Sequence, residues 1–400
     1  MSSAQKNDLN WDPYNQAFKD DPYPTYRRLR EEAPLYYNEE HDIYVASRFS
    51  DVEAGLLDRE TFSSARGDII EFIKGGGEVP SGMFIWEDPP VHTAHRGVLA
   101  RVFTPKRVNE LEANIRAYCV RCLDPLVGAK QFDFIHDLGA ELPMRVIGWL
   151  LGIPEKDQTI FRDVVDAMLR TEAGKPMDIQ GDNAPYVGEG FEDYLDWRVK
   201  NPSNDLMTEM VNAEFKDVDG KVRKLTRDEI LIFCAMLAGA GNETTSRLIG
   251  WTAKILSDHP DQRRELAKNP SLVPGAIEEV LRYEPPGPLV GRYVTRDVQL
   301  QGRTVPAGST MVFLISSANR DDRRFPDGDR FNIHRKDAPH ITFGRGVHAC
   351  IGSSLARMEG RVTLEEVLKR FTDWTVDLSK AELSSTSTVR GWETLPVTIP

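Results

Sequence analysis

From Ile230 to Ala238 every residue is apolar. A helix there has no solvent face and must run through a core. Elsewhere apolar positions recur three and four residues apart, the amphipathic-helix period. That pattern predicts helices over Pro24–Glu32, His92–Val102, Val108–Leu126, Leu142–Leu151, Gln158–Arg170, Glu189–Val199, Thr226–Ser257, Pro260–Lys268, Ser271–Tyr283 and Ser353–Phe371. Short β-branched runs predict strands at Leu35–Tyr36, Ile43–Ala46, Tyr293–Leu300, Thr310–Leu314, Thr375–Asp377 and Pro396–Ile399. The strands are few and do not alternate with the helices, which argues against a doubly wound sheet. No linker divides the chain, so residues 1–400 read as one mainly α domain with small antiparallel sheets. Two stretches read as long loops of the kind that cover binding sites: Ser63–Phe84, where Gly75, Gly76 and Gly77 break any helix, and Glu172–Gly188.

The longest helix has a marked start and a soft centre. Thr226 and Glu229 have capping-box spacing, and Leu225 with Ile230 can form a hydrophobic staple. The centre reads AGAGNETT, Ala238–Thr245. Gly239 and Gly241 each cost about 1 kcal/mol against alanine. An acid and two threonines then enter a core segment. Two readings stand: a kink or tight helix contact, or a polar device in which Glu243 and Thr244 relay protons. Glu279 and Arg282, three apart on one helix face, read either as a surface ion pair or as a buried structural one.

The net charge of −12 excludes nucleic acid and anionic membrane as general partners. The N-terminal residues lack the basic and apolar regions of a signal peptide, and no apolar run is long enough for a membrane span. The expectation is a cytoplasmic monomer without a membrane anchor. Four cysteines then imply free thiols. Cys119 and Cys122 form a C-x-x-C inside a helical pattern, with no second such pair to complete a zinc site.

Cys350 lies in FGRGVHACIG, among three glycines. Gly344, Gly346 and Ala349 fit a dinucleotide-binding fingerprint, with Glu365 at the acidic position, but too little chain follows for that fold. His348 is near enough in sequence to suggest a base for a nucleophilic thiol, without assuring contact. A helix begins just after Cys350, and a sulfur at a helix N-terminus is favoured as thiolate. Glycines let the backbone wrap closely around it. A single thiolate with no neighbouring metal ligands suits haem, whose ring supplies the other ligands.

Taken together, the chain resembles the soluble bacterial cytochrome P450 monooxygenases along nearly its whole length. FGRGVHACIG matches the haem loop F-G-x-G-x-H-x-C-x-G, AGNETT matches A-G-x-[D/E]-T-T, and Glu279 with Arg282 matches E-x-x-R. DPPVHTAHR and ANRDDRRFPDGDRFNIHR resemble two further family segments. The resemblance implies haem b, with Cys350 as axial ligand and Phe343, Gly344 and Gly352 shaping the loop. It implies His92, Arg96, Arg292 and His348 at the haem propionates, and Ala240 and Gly241 making room for dioxygen. Glu243 and Thr244 would manage proton delivery. Glu279 and Arg282 would form a structural lock with Arg335, or with Arg330 in its place. The substrate would be a hydrophobic small molecule, terpenoid or steroid-like before fatty acid. Ile85, Trp86, Met236, Leu237, Gly241, Leu289 and Val290 are the candidate pocket walls, and Arg66 is a candidate for a substrate carboxylate. Electrons would come from a ferredoxin and its NAD(P)H-dependent reductase, docking on Arg101, Lys106, Arg107, Arg345, Arg357 and Arg361. The rivals are a hydrogen-peroxide-using peroxygenase and a non-enzymatic haem sensor.

Overall fold

The computed structural model describes residues 9–15, 20–77, 79–101, 103–158, 175–177, 190–336, 339–384, 386 and 389–400. The helix predicted at Gln158–Arg170 and most of the loop Glu172–Gly188 lie outside these residues.

The chain starts with α1 (Tyr23–Glu32), β1 (Leu35–Asn38), β2 (Ile43–Ala46), α2 (Phe49–Leu57), β3 (Phe62–Ser63) and α3 (Ile70–Gly75). A turn at Phe84–Trp86 leads to α4 (Val91–Ala100), α5 (Pro105–Leu123), β4 (Gln131–Asp133) and α6 (Leu142–Leu151). Then come α7 (Glu192–Lys200), α8 (Leu206–Asn212), the hairpin β5–β6 (Glu214–Lys216, Val222–Lys224) and the long α9 (Arg227–Asp258). The C-terminal part holds α10 (Pro260–Lys268), α11 (Val273–Tyr283), β7 (Val290–Val294), β8 (Val298–Leu300), β9 (Arg303–Val305) and β10 (Thr310–Phe313). It closes with α12 (Ile315–Ala318), α13 (Ser353–Arg370), β11 (Thr375–Val376), β12 (Glu382–Leu383), β13 (Trp392–Thr394) and β14 (Pro396–Thr398).

Helix α9 starts as its sequence predicts: Thr226 Oγ1 accepts from the Glu229 N–H, and Glu229 Oε2 from the Thr226 N–H. It runs between α6, α11 and α13, and its residues enter two large apolar clusters. Gly360 of α13 permits close packing there, because a Cβ would lie 3.1 Å from Leu248 and 3.3 Å from Ile277.

Four expectations need correction. Alternation continues through Tyr293–Leu300, yet the strand breaks after Val294, where Asp297 accepts from the Ala307 N–H. β8 and β9 then form their own hairpin across Gln301 and Gly302, both at positive φ. The glycines Gly75 to Gly77 terminate α3 rather than prevent it, with Gly76 as a left-handed cap at φ 64. α2 was not predicted: its apolar face is short, and it carries Gly55, which lies against the Phe313 ring. The largest sheet, ordered β1-β2-β10-β7-β3, is not wholly antiparallel, since β2 and β10 run parallel.

Two buried charged clusters hold elements together. Arg282 donates to both oxygens of Glu279, at 2.7 and 2.8 Å, and to the carbonyls of Asn319 and Gly328. Glu279 Oε1 also accepts from Arg335 Nε at 3.1 Å and from the Asn332 N–H at 3.0 Å. With Glu279 3% and Arg282 1% exposed, this is a buried lock between α11 and the segment 319–335, not a surface pair. The second cluster pins the first long loop to α9. His95 Nδ1 lies 2.8 Å from Glu87, and its Nε2 lies 3.4 Å from Glu229. Glu87 accepts from the Gly82 N–H, and Ser81 donates to Glu229. Burial pulls the His95 imidazole down, but bonding to Glu229 and Glu87 outweighs it and lifts it to about 9.

Replacing Glu279 by alanine strands a buried guanidinium, at a cost of about 3–5 kcal/mol. The denaturation midpoint of Glu279→Ala will fall accordingly, and an unchanged midpoint would contradict the lock. His95 gives a pH signature. A folded value raised to about 9 from about 6.5 unfolded contributes stability fully below the lower value. That contribution is lost as pH rises through the upper one. Melting temperatures of the wild type will therefore drop more steeply between about pH 6.5 and 9 than those of His95→Gln; parallel profiles would show no linkage.

Candidate active site

The loop that carries Cys350 is shaped by backbone demands. Gly344 and Gly346 have φ of 69 and 67, which side chains disfavour. The turn folds back so that the Cys350 N–H donates to the Phe343 carbonyl at 2.7 Å. α13 starts three residues later, aiming its N-terminus at this end of the loop. The Cys350 side chain is accessible, yet its surroundings are crowded enough that burial pushes its thiol up. The Gly352 N–H and the charges of Arg96 and Arg357 act in the opposite sense.

Four nitrogen-bearing side chains gather beside it from three elements. α4 contributes His92 and Arg96, β7 contributes Arg292, and the loop contributes His348. The rings of His92 and His348 are 4.3 Å apart. Both ring nitrogens of His92, and Nε2 of His348, are buried with no hydrogen-bond partner. Burial, reinforced by the charges of Arg96 and Arg292, pulls His348 down to about 3; burial and Arg96 pull His92 down to about 4. Both are thus neutral N–H donors at physiological pH. Burial also lowers Arg96 and Arg292. Arg96 donates to the Ala349 carbonyl and Arg292 to that of Gly291. Among the described residues no carboxylate forms an ion pair with any of the four. Asp88 is taken by Ser63 and Ser64, and Asp68 by Trp86. Buried donors of this kind call for an anionic partner. A flat dianion with a metal centre, such as haem, suits this donor set and its neighbouring sulfur.

The centre of α9 has the opposite character. Its flanks are buried, but Ala240 is exposed and Thr244 half-buried in the middle of the fold. Thr244 Oγ1 donates to the Ala240 carbonyl at 2.7 Å, the back-bond that softens a helix. Gly241 serves tight packing: a Cβ there would come within 2.5 Å of Ile147 on α6. The helix is open at Ala240, with Gly241 and Thr244 half-buried beside it. Glu243 is buried against Arg247 at 2.8 Å. Sequence reading missed Arg247, although its i+4 spacing from Glu243 was visible.

Four of the candidate pocket walls, Ile85, Trp86, Met236 and Leu237, belong to or pack against one apolar cluster, whereas Leu289 and Val290 pack against others. Met236 and Leu237 are packed into the cluster that holds Met83 and Phe84. Trp86 stacks on Phe72, with ring centroids 4.6 Å apart, and donates to Asp68 at 2.6 Å. Ile85 is half-buried beside it, and Val290 opens β7. Leu289 borders a cavity of about 120 Å³, shared with Trp11, Asp68, Glu71, Ser384 and Arg390. Arg66 lies 4.0 Å over the Tyr293 ring. The basic cluster expected to dock an electron donor is largely neutralised. Arg107 pairs with Glu209, Arg345 with Glu53, Arg357 with Glu278 and Arg361 with Glu112. Arg101 and Lys106 have no acidic partner among the described residues.

Comparison with known proteins agrees with this geometry. The sequence model of the family described as "Cytochrome P450" matches residues 182–391. The chain is 34% identical to the cytochrome P450 monooxygenase PikC of Streptomyces venezuelae, over 96% of this chain and 92% of that one. Its structure resembles CYP109E1 from Bacillus megaterium in complex with testosterone, with TM-score 0.86 and 28% identity, over 96% and 99% of the two chains. CYP109Q5 from Chondromyces apiculatus is similar at TM-score 0.86 and 32% identity, over 98% of each chain. With a family match over more than half its length and a relative of this identity along nearly all of it, the chain belongs to the cytochrome P450 family.

Proposed function

We propose that Cys350 is the axial ligand of haem b in this monooxygenase, and that the substrate is a hydrophobic cyclic molecule of terpenoid or steroid type. The observation that carries the first part is the cluster of buried and half-buried donors beside the thiol. His92, Arg96, Arg292 and His348 would hold the two propionates, and the glycine loop would seat the sulfur under the ring. Bound there, haem supplies oxygen activation, so that R–H, O2, two electrons and two protons give R–OH and water. The remaining work falls to the chain. Phe343 shields one side of the loop. Ala240 would leave room for dioxygen, and Thr244 and Glu243 would hold and pass protons at their hydroxyl and carboxylate oxygens. The lock of Glu279, Arg282 and Arg335 keeps the surrounding segments in register. The chain 1–400 acts as one domain.

The apolar character of Ile85, Trp86, Leu289 and Val290 supports a hydrophobic substrate, as does the testosterone bound by the structural relative. Arg66 is stacked on Tyr293, which counts against a carboxylate anchor and so against a fatty acid. The acid–threonine pair favours use of O2 with a ferredoxin donor over direct use of peroxide. Such a donor would meet a face where the unpaired cations are Arg101 and Lys106, so docking by charge steering would rest on few groups.

The test is spectroscopic. The reduced protein with CO will show the red-shifted Soret band of thiolate ligation, and Cys350→His will shift it to the imidazole position. An imidazole-type band in the intact wild type would overturn the assignment. Titration with testosterone will displace the resting Soret band to the blue, and hexadecanoic acid will do so more weakly. The reverse order would overturn the substrate class.

A further inference from the structure

Arg247 joins the softened centre of α9 to the end of the chain. Its Nε and Nη2 both donate to Oε2 of Glu243, at 3.1 and 2.8 Å. The same guanidinium donates to the carbonyl of Trp392 and to Ser384 Oγ at 2.9 Å, and it lies 3.2 Å from Glu393 Oε2. These partners sit on or beside β12 and β13, so the C-terminal hairpin closes over the arginine. The closure is tight. A Cβ on Gly391 would come within 2.7 Å of Arg247 Cβ and Cδ. Arg247 is 4% exposed, and Glu393 reaches solvent with 36% of its side chain exposed.

The geometry treats the two oxygens of Glu243 differently. Both arginine bonds go to Oε2, and Oε1 takes none from any described residue. One oxygen is anchored and the other is left to act. Ser384, which holds the arginine, also lines the 120 Å³ cavity. As a stability device the arrangement is poor, because a buried ion pair returns little more than an apolar pair of the same volume. As a positioning device it is well built, since a fork of N–H groups fixes a carboxylate in direction as well as distance.

We propose that Arg247 is a positioning residue for the monooxygenase reaction. It fixes Glu243 through Oε2 to the C-terminal hairpin, so that Oε1 is the oxygen that carries protons toward Thr244. This rests on the reading of Glu243 as a proton-delivering group, and the experiment separates the two. The haem-loaded full chain and its variants Arg247→Lys, Arg247→Ala, Glu243→Gln and the double variant Arg247→Ala/Glu243→Gln are compared by two readouts. The first is melting temperature. If the contact exists in solution, the double variant will melt with Arg247→Ala alone; additive losses would overturn the contact. The second is hydrogen peroxide released per NADPH, across pH, with a plant-type ferredoxin and its reductase as electron source. Arg247→Ala will raise it by about the same factor as Glu243→Gln, threefold or more (misplacing a reacting group is expected to cost at least about that much). The double variant will go no further, and Arg247→Lys will fall between wild type and Arg247→Ala. Gly391→Ala, which displaces the arginine without removing its charge, will act like Arg247→Ala. If Glu243→Gln diverts electrons and Arg247→Ala does not, Arg247 merely pins the hairpin and the proposal fails. If Glu243→Gln changes nothing, the proton-delivery reading itself fails.

Discussion

Inward-facing hydrogen-bond donors without an ion-paired carboxylate are the constraint around which this protein is arranged. His92, His348, Arg96 and Arg292 converge from α4, β7 and the cysteine loop, and no described carboxylate pairs with any of them. Folding so many polar groups inward is unfavourable unless something answers them. Haem b answers both parts of the site at once, with two carboxylates for the donors and an iron for the sulfur. The imidazoles suit this role, since their rings lie 4.3 Å apart and each can offer an N–H to a carboxylate.

The scaffold holds these donors in place by paired charges set away from the ligand. Glu279 and Arg282 tie α11 to the segment 319–335, which leads into the cysteine loop. His95, Glu87 and Glu229 tie the first long loop to the start of α9. Both clusters contain paired opposite charges, whereas the donors beside Cys350 have no ion-paired carboxylate among the described residues. The contrast separates groups that stabilise the fold from groups that wait for a ligand. The centre of α9 follows the same division. Gly241 approaches Ile147 closely, while Ala240 is exposed and Thr244 half-buried.

Much of this was legible along the chain, for identifiable reasons. Long amphipathic helices announce themselves by period, so Leu142–Leu151 and Pro260–Lys268 match the structure residue for residue. The capping box at Thr226 is a local signal and survives intact. α2 and the break after Val294 were not legible, because both depend on partners distant in sequence: Phe313 against Gly55, and Ala307 with Asp297. Among site residues, Cys350 and its glycines carry local backbone requirements that spacing reveals. The role of Arg247 does not show locally, since Trp392, Ser384 and Glu393 lie some 140 residues downstream. Neither does the neutralisation of Arg345 by Glu53 or of Arg361 by Glu112. A count of basic residues therefore overstated the positive character of that face.

The account stands or falls on whether the buried donors are answered by the propionates. The direct measurement is the melting temperature of the full chain reconstituted with iron protoporphyrin IX and with its dimethyl ester. The ester keeps the iron and the ring but removes both negative charges. The account predicts that the free acid raises the melting temperature markedly and that the ester recovers only a minor part of that gain. Equal stabilisation by the two would contradict it, and would mean that His92, Arg96, Arg292 and His348 are buried for some other reason.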